Sequence, residues 1–153
     1  MQLTKNFSLE EMCYSDMAAA RKIANKPGKT EEAALRLLCE RVLQPLRDKH
    51  GKSIGINSGY RCVTLNRVLG GSGTSQHVKG EAADLRGDIK ELFRIIVEEK
   101  LPFDQLIWEN TWVHVSHSST RNRGQILWYH SAKNGKKSWY EDISKRWREV
   151  IGV

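Results

Sequence analysis

No stretch of the sequence approaches the roughly 18 apolar residues that a membrane-crossing helix requires, and residues 1–8 lack the apolar run of a secretory leader. The expectation is a chain made in the cytoplasm without a signal peptide, reaching any outside target only after release. Cysteine is scarce: Cys13, Cys39 and Cys62 stand far apart with no C-x-x-C pair. That excludes a zinc ribbon or thioredoxin-type motif and leaves reduced thiols as the default. No repeat, low-complexity tract or Gly/Pro/Ser-rich linker divides the 153 residues, so residues 1–153 are read as a single domain and a monomer.

Negative charge is in deficit. Twenty-five Lys and Arg face 18 Asp and Glu, a formal net charge of +7. Such a surface attracts polyanions in general, including nucleic acid, anionic lipid and bacterial wall polymers. The basic residues are dispersed, with small clusters at 133–137 and 145–148, and no basic stripe is interleaved with aromatics. No nucleic-acid partner is therefore expected.

What is present is a regular apolar pattern. Ser8-Leu9-Glu10-Glu11 reads as a capping box opening a short helix. Pro27-Gly28-Lys29 breaks the chain, and Thr30 is expected to cap a longer helix. Within it Ala34, Leu35, Leu38, Val42 and Leu46 recur at helical spacing, with Pro45 expected to kink or end it. A short strand follows at Ile54 and Ile56, then one or two helical turns from Thr64, stopped by Gly70-Gly71. Glu81–Leu85 reads as a second strand, and Asp88 caps an amphipathic helix to about Lys100. Asp104–Glu109 and Trp112–Ser116 read as strands joined by a turn at Asn110-Thr111, and Gln125–Tyr129 as another. Asn134-Gly135 signals a turn, and residues 139–150 read as helical. Helices ahead of several short strands favour an α+β fold with an antiparallel sheet.

Two stretches carry candidate chemistry. Residues 75–84 (Ser-Gln-His-Val-Lys-Gly-Glu-Ala-Ala-Asp) offer an imidazole, His77, from a loop and a carboxylate, Asp84, from the following strand. The small residues Gly80, Ala82 and Ala83 let the backbone fold back so that the two converge. In Trp112-Val113-His114-Val115-Ser116, strand alternation puts Trp112, His114 and Ser116 on one face and the valines on the other. Each stretch alone is compatible with a hydrogen-bonded structural histidine. Together, with Glu109 on the strand leading into His114, they point to a metal held by imidazole and carboxylate with one position left open. Glu81 is a poor rival, since alternation turns it away from Asp84. His50, His117 and His130 have no such context and read as structural or solvated.

Ser75, His77, Gly80, Ala82 and Asp84 match the S-x-H-x-x-G-x-A-x-D motif of the M15 class of zinc D-Ala-D-Ala peptidases, and Trp112 and His114 match its W-x-H motif. Residues 57–61 (Asn-Ser-Gly-Tyr-Arg), Leu65-Asn66 and Gly70-Gly71 resemble the segment before the first motif, and 103–107 the strand before the second. The resemblance runs from about Phe7 to Ser118. It implies the hedgehog/DD-peptidase-like fold, an antiparallel sheet flanked by helices, and one Zn2+ held by His77, Asp84 and His114. It also implies Glu109 as general base, Arg61 as the arginine that binds a substrate carbonyl or carboxylate, and Ser75, Gln76 and Trp112 as substrate contacts. Several branches place the acid three residues before the last histidine, where this chain has Thr111, which cannot act as a base. The implied activity is hydrolysis of peptidoglycan stem or cross-link peptides containing D-amino acids, as in a phage-type lysis enzyme acting on the cell wall. The alternative is a zinc-containing wall-binding module without chemistry.

Overall fold

The computed structural model describes residues 1–153. A short ribbon, β1 (Gln2–Thr4) and β2 (Phe7–Ser8), leads into helices α1 (Leu9–Cys13) and α2 (Asp16–Ala20). The Ser8 hydroxyl accepts the Glu11 backbone N–H and so caps α1. A longer helical arm follows, α3 (Lys29–Leu38) and α4 (Gln44–His50), continuous through a π-helical turn at Cys39–Leu43. Ala34, Leu35, Leu38, Val42 and Leu46 are all buried, so the stripe read from the sequence is the core face.

Two details of that arm differ from expectation. The N-cap of α3 is Gly28, not Thr30, because the Glu31 carboxylate reaches back to accept the Gly28 N–H; Thr30 lies inside the first turn. Pro45 does not end the helix. It cannot donate to the preceding turn, and the wider π winding just before it accommodates the missing bond. The arm continues to His50 and stops at Gly51, which is left-handed at φ +75°.

The sheet has six strands: β3 (Gly55–Ser58), β4 (Ala82–Arg86), β5 (Gln105–Trp108), β6 (Val113–Ser116), β7 (Gln125–His130) and β8 (Trp139–Asp142). Their spatial order is β3-β4-β6-β5-β7-β8. All neighbours are antiparallel except β5 and β7, which run parallel. Between these strands lie α5 (Val63–Val68) and α6 (Ile89–Glu98), and α7 (Trp147–Ile151) closes the chain. The α+β class, with a largely antiparallel sheet flanked by helices, is as expected.

Alternation along the strands separates two faces. Ala83, Leu85, Leu106, Val113 and Val115 are fully buried and join Leu35, Leu38 and the α6 residues Leu92, Phe93 and Ile96 in one 25-residue core. Phe93 meets Trp108 edge-to-face at 5.7 Å between ring centroids. The opposite face carries Asp84, Ile107 and His114 in register across three adjacent strands.

The tail corrects a sequence expectation. Residues 139–150 are not one helix: Trp139–Asp142 is β8, paired with β7 through a hairpin, and only Trp147–Ile151 is helical. Asn134 and Gly135 both have positive φ, +51° and +76°, as a primed hairpin turn demands. Ile143 and Trp147 are nonetheless buried, so the apolar spacing was core spacing across a strand-to-helix junction.

The loop before β4 is pinned to α3. Gly80 has φ +72°, and a Cβ built there falls 2.4 Å from the Glu31 carbonyl oxygen. Gly80→Ala is expected to cost about 2–4 kcal/mol, from left-handed strain plus overpacking against rigid backbone. Urea unfolding measures this, and a wild-type midpoint would show that the approach is not tight.

Candidate metal centre

Strand register assembles the centre. Asp84 on β4 lies directly opposite His114 on β6, so two side chains thirty residues apart in the chain face each other across one antiparallel pair. His114 Nδ1 lies 3.0 Å from Asp84 Oδ1, and His77 Nε2 lies 3.4 Å from the same oxygen. The two imidazoles are edge-to-face, with centroids 5.2 Å apart. Three donor atoms thus converge within 4.8 Å of one another. His77 is 4% exposed and Asp84 8%.

The spacing and protonation fit a metal. Ligand atoms of a tetrahedral zinc at ordinary bond lengths lie about 3.3 Å apart, close to both measured separations. His77 Nδ1 is 2.7 Å from the Gly59 carbonyl. A carbonyl can only accept, so Nδ1 carries the proton and Nε2 presents its lone pair to the centre. Burial holds the His77 imidazole below its ordinary pKa, against the upward pull of Asp84, and keeps the ring neutral. Burial alone would raise the Asp84 carboxyl, but the hydrogen bond from His114 outweighs it and holds Asp84 well below the usual carboxylate range. A neutral imidazole beside an ionised carboxylate is the state a cation needs.

Around these donors lies a cleft of ≈ 600 Å³. Arg61 lines it, with Nε donating to Ser58 Oγ at 3.0 Å, Nη1 to Asn66 Oδ1 at 3.3 Å, and Nη2 lying 3.6 Å from Asp84 Oδ2. Glu109 lines it as well, and the Trp112 indole N–H donates to its Oε2 at 3.2 Å. Burial, together with the nearby negative charge of Asp84, raises the Glu109 carboxyl pKa. The arrangement therefore offers a cation site, a basic carboxylate and a fixed guanidinium in one recess, which suffices for hydrolysis of a polarised carbonyl.

The other sequence candidates lie in the same cleft. Ser75 Oγ accepts the His77 backbone N–H at 3.2 Å, so it shapes the ligand loop. Gln76 donates from Nε2 to Asp104 Oδ2 at 3.0 Å. Glu81 turns away, accepting from the backbone and hydroxyl of Ser119. His130 stacks on Trp139 and bonds Glu141, and His117 is buried apart from the cleft.

Sequence reasoning missed several residues. Tyr129 and Tyr140 form one wall, their rings 5.3 Å apart across the β7–β8 hairpin. Only a strand assignment for 139–142 could have exposed that pair. Asp104 was read merely as part of a strand, yet it is 2% exposed and accepts from Gln76 and from the backbone N, Nε and Nη2 of Arg123.

Residues 5–116 match the family model described as Peptidase M15. The chain is also 37% identical over 86 residues to the zinc D-Ala-D-Ala carboxypeptidase of Streptomyces albus G. That match takes in 52% of this chain and 31% of the relative, so the chain spans about a third of the relative's length.

Two outcomes follow from this geometry. Zn2+ at about a hundredfold excess over its Kd should raise the melting temperature of the metal-free protein by roughly 5–10 °C. Asp84→Asn should remove that shift, and an equal shift in the variant would place the ion elsewhere. The second concerns Asp104, whose pKa is lowered from 3.8 to about 2, chiefly by its hydrogen bonds to Arg123. A depressed folded-state pKa contributes stability above the unfolded value, lost as pH falls through the folded one. Asp104→Asn should therefore melt below wild type at about pH 6, with the gap closing towards about pH 2; a gap independent of pH would refute the ion-pair account.

Proposed function

The chain belongs to the peptidase M15 family, and from that premise we propose that it is a zinc metallopeptidase cleaving peptides that contain D-amino acids, with peptidoglycan stem or cross-link peptides as its substrates. The observation that carries this reading is the meeting of His77, Asp84 and His114 beneath a cleft that also holds Glu109 and Arg61. The zinc named for the Streptomyces relative suits this donor set.

In this reading His77 Nε2, His114 Nδ1 and Asp84 Oδ1 hold the ion. Once bound, the ion supplies Lewis acidity, acidifying water and polarising a carbonyl oxygen. Glu109 does the proton work. Its carboxylate takes the proton of the attacking water and passes it to the amine that leaves when the C–N bond breaks. A carboxyl raised by burial is better matched to that double duty than one at its ordinary value. The Trp112 indole, bonded to Oε2, fixes the carboxylate's orientation and leaves Oε1 for the water. Arg61, braced by Ser58 and Asn66, directs its guanidinium toward negative charge on the substrate carbonyl or terminal carboxylate.

The test separates chemistry from binding. Glu109→Gln should retain zinc at one equivalent while hydrolysis of wall peptides falls by about 10²–10⁴, followed by mass spectrometry for new amino termini. Full hydrolysis in that variant would remove Glu109 as the base. Wall peptides left intact by zinc-loaded wild type would leave a binding module instead.

A further inference from the structure

A second recess of ≈ 480 Å³, lined by polar residues alone, adjoins the metal cleft; Thr74, Gln76 and Gln105 line both. Its direction from the metal is set by β5. Ile107 lies opposite His114, whereas Gln105 lies two residues further along the same strand, roughly 7 Å at the rise of an extended chain. A peptide held at the metal and running towards Gln105 reaches this recess after two or three residues.

The charges there are unequally committed. Arg123 is spent on Asp104, which it grips through Nε and Nη2. Glu81 is turned to Ser119. Lys79 and Arg121 line the recess, and neither makes an ion pair. Two free cations therefore border a concave polar surface next to the cleft.

Gln76 stands between the two recesses. The carboxylate of Asp104 only accepts, so the Gln76 amide must present its NH2 to it. That orientation leaves Gln76 Oε1 buried without a donor, on a residue that lines both recesses. That oxygen is enclosed by protein, so Gln76 serves to hold Asp104 in place between the two recesses and offers a ligand no free acceptor.

We propose that the second recess is a carboxylate subsite for the same peptide substrate. Lys79 and Arg121 receive a free carboxylate two or three residues from the bond at the metal. This rests on the peptidase reading above and adds a demand on the substrate: it must be anionic at that distance from the cut.

The probes are two acylated pentapeptides of the wall-stem type ending in D-Ala-D-Ala. They differ only in the γ-linked D-glutamyl residue, which keeps its free α-carboxylate in one and carries an amide in the other. Titration calorimetry on zinc-loaded Glu109→Gln chain should find the carboxylate peptide bound about tenfold tighter, the scale of a charge-assisted contact. Replacing Lys79 and Arg121 together by Ala in that background should erase the difference between the two peptides. Equal binding by both peptides, binding of neither, or an undiminished preference in the Lys79/Arg121 variant each overturns the subsite. Cleavage by wild type is read separately. Cleavage without any preference in binding would sink the subsite and spare the peptidase; preference in binding without cleavage would do the reverse.

Discussion

The register between β4 and β6 governs the rest of the structure. Because Asp84 pairs with His114, their strand neighbours Leu85 and Val113 pair as well, and these are fully buried in the core. Alternation ties the two facts together: with the apolar pairs inward, the imidazole and the carboxylate must share the outer face. A one-residue slip of β6 would drive His114 into the core and turn the valines outward. Hydrophobic burial thus enforces a metal geometry it does not touch. The third ligand obeys a different constraint. His77 comes from a loop, and its ring is held by the Gly59 carbonyl, whose segment is anchored where Tyr60 N donates to the Met12 carbonyl of α1. A Cβ on Gly59 would sit 2.2 Å from that same oxygen, so the helix–strand contact needs glycine there.

The cleft concentrates charge that a core would not tolerate. Asp84, Arg61, Glu109 and two imidazoles share one partly buried recess, and each raises or lowers its neighbours. Desolvation acts against every charged form, lowering Arg61 and His77 and raising Glu109. Asp84 alone is driven strongly to the ionised side, since the His114 imidazole bonds its Oδ1. The recess is therefore a local departure from what stability favours, of the sort that functional sites retain. Its neighbours compensate: Asn66, 5% exposed, accepts from Arg61 and donates to the Ser72 carbonyl, tying the arginine to the loop beside the ligand histidine.

Much of this was legible in the sequence where period and local chemistry agree. The helical stripe from Ala34 to Leu46, the Ser8 and Asp88 caps and the valine alternation around His114 are short-range signals, and each appears where it was expected. The motif spacing likewise named three donors that the fold brings together. What could not be read was whatever depends on pairing. Nothing local reports that β7 runs parallel to β5, or that Gln76 will find Asp104 twenty-eight residues away. The tail departs from expectation because Ile143, Trp147 and Val150 suit a helix, while the Asn134-Gly135 turn carries no local sign that a strand returns after it. Residues 139–142 are exposed or half-buried at an edge, so they carry no apolar alternation to signal a strand.

That edge position bears on how the work is divided along the chain. The metal donors and Glu109 all lie within residues 5–116, the part that matches the family, and the ligands sit on or beside interior strands whose register the core dictates. Later residues complete the surroundings: Tyr129 and Tyr140 on the hairpin wall the cleft, and Arg121 and Arg123 on the loop before it line the adjoining recess. β8 pairs on one side only, and Tyr140 stays more than half exposed. Substitution there meets little packing resistance, whereas substitution at Asp84 or His114 disturbs a buried cluster of charge. Physical tolerance and chemical role therefore divide along the same line. The interior pair fixes the geometry of the metal donors, and the edge hairpin with its preceding loop is free to vary around it.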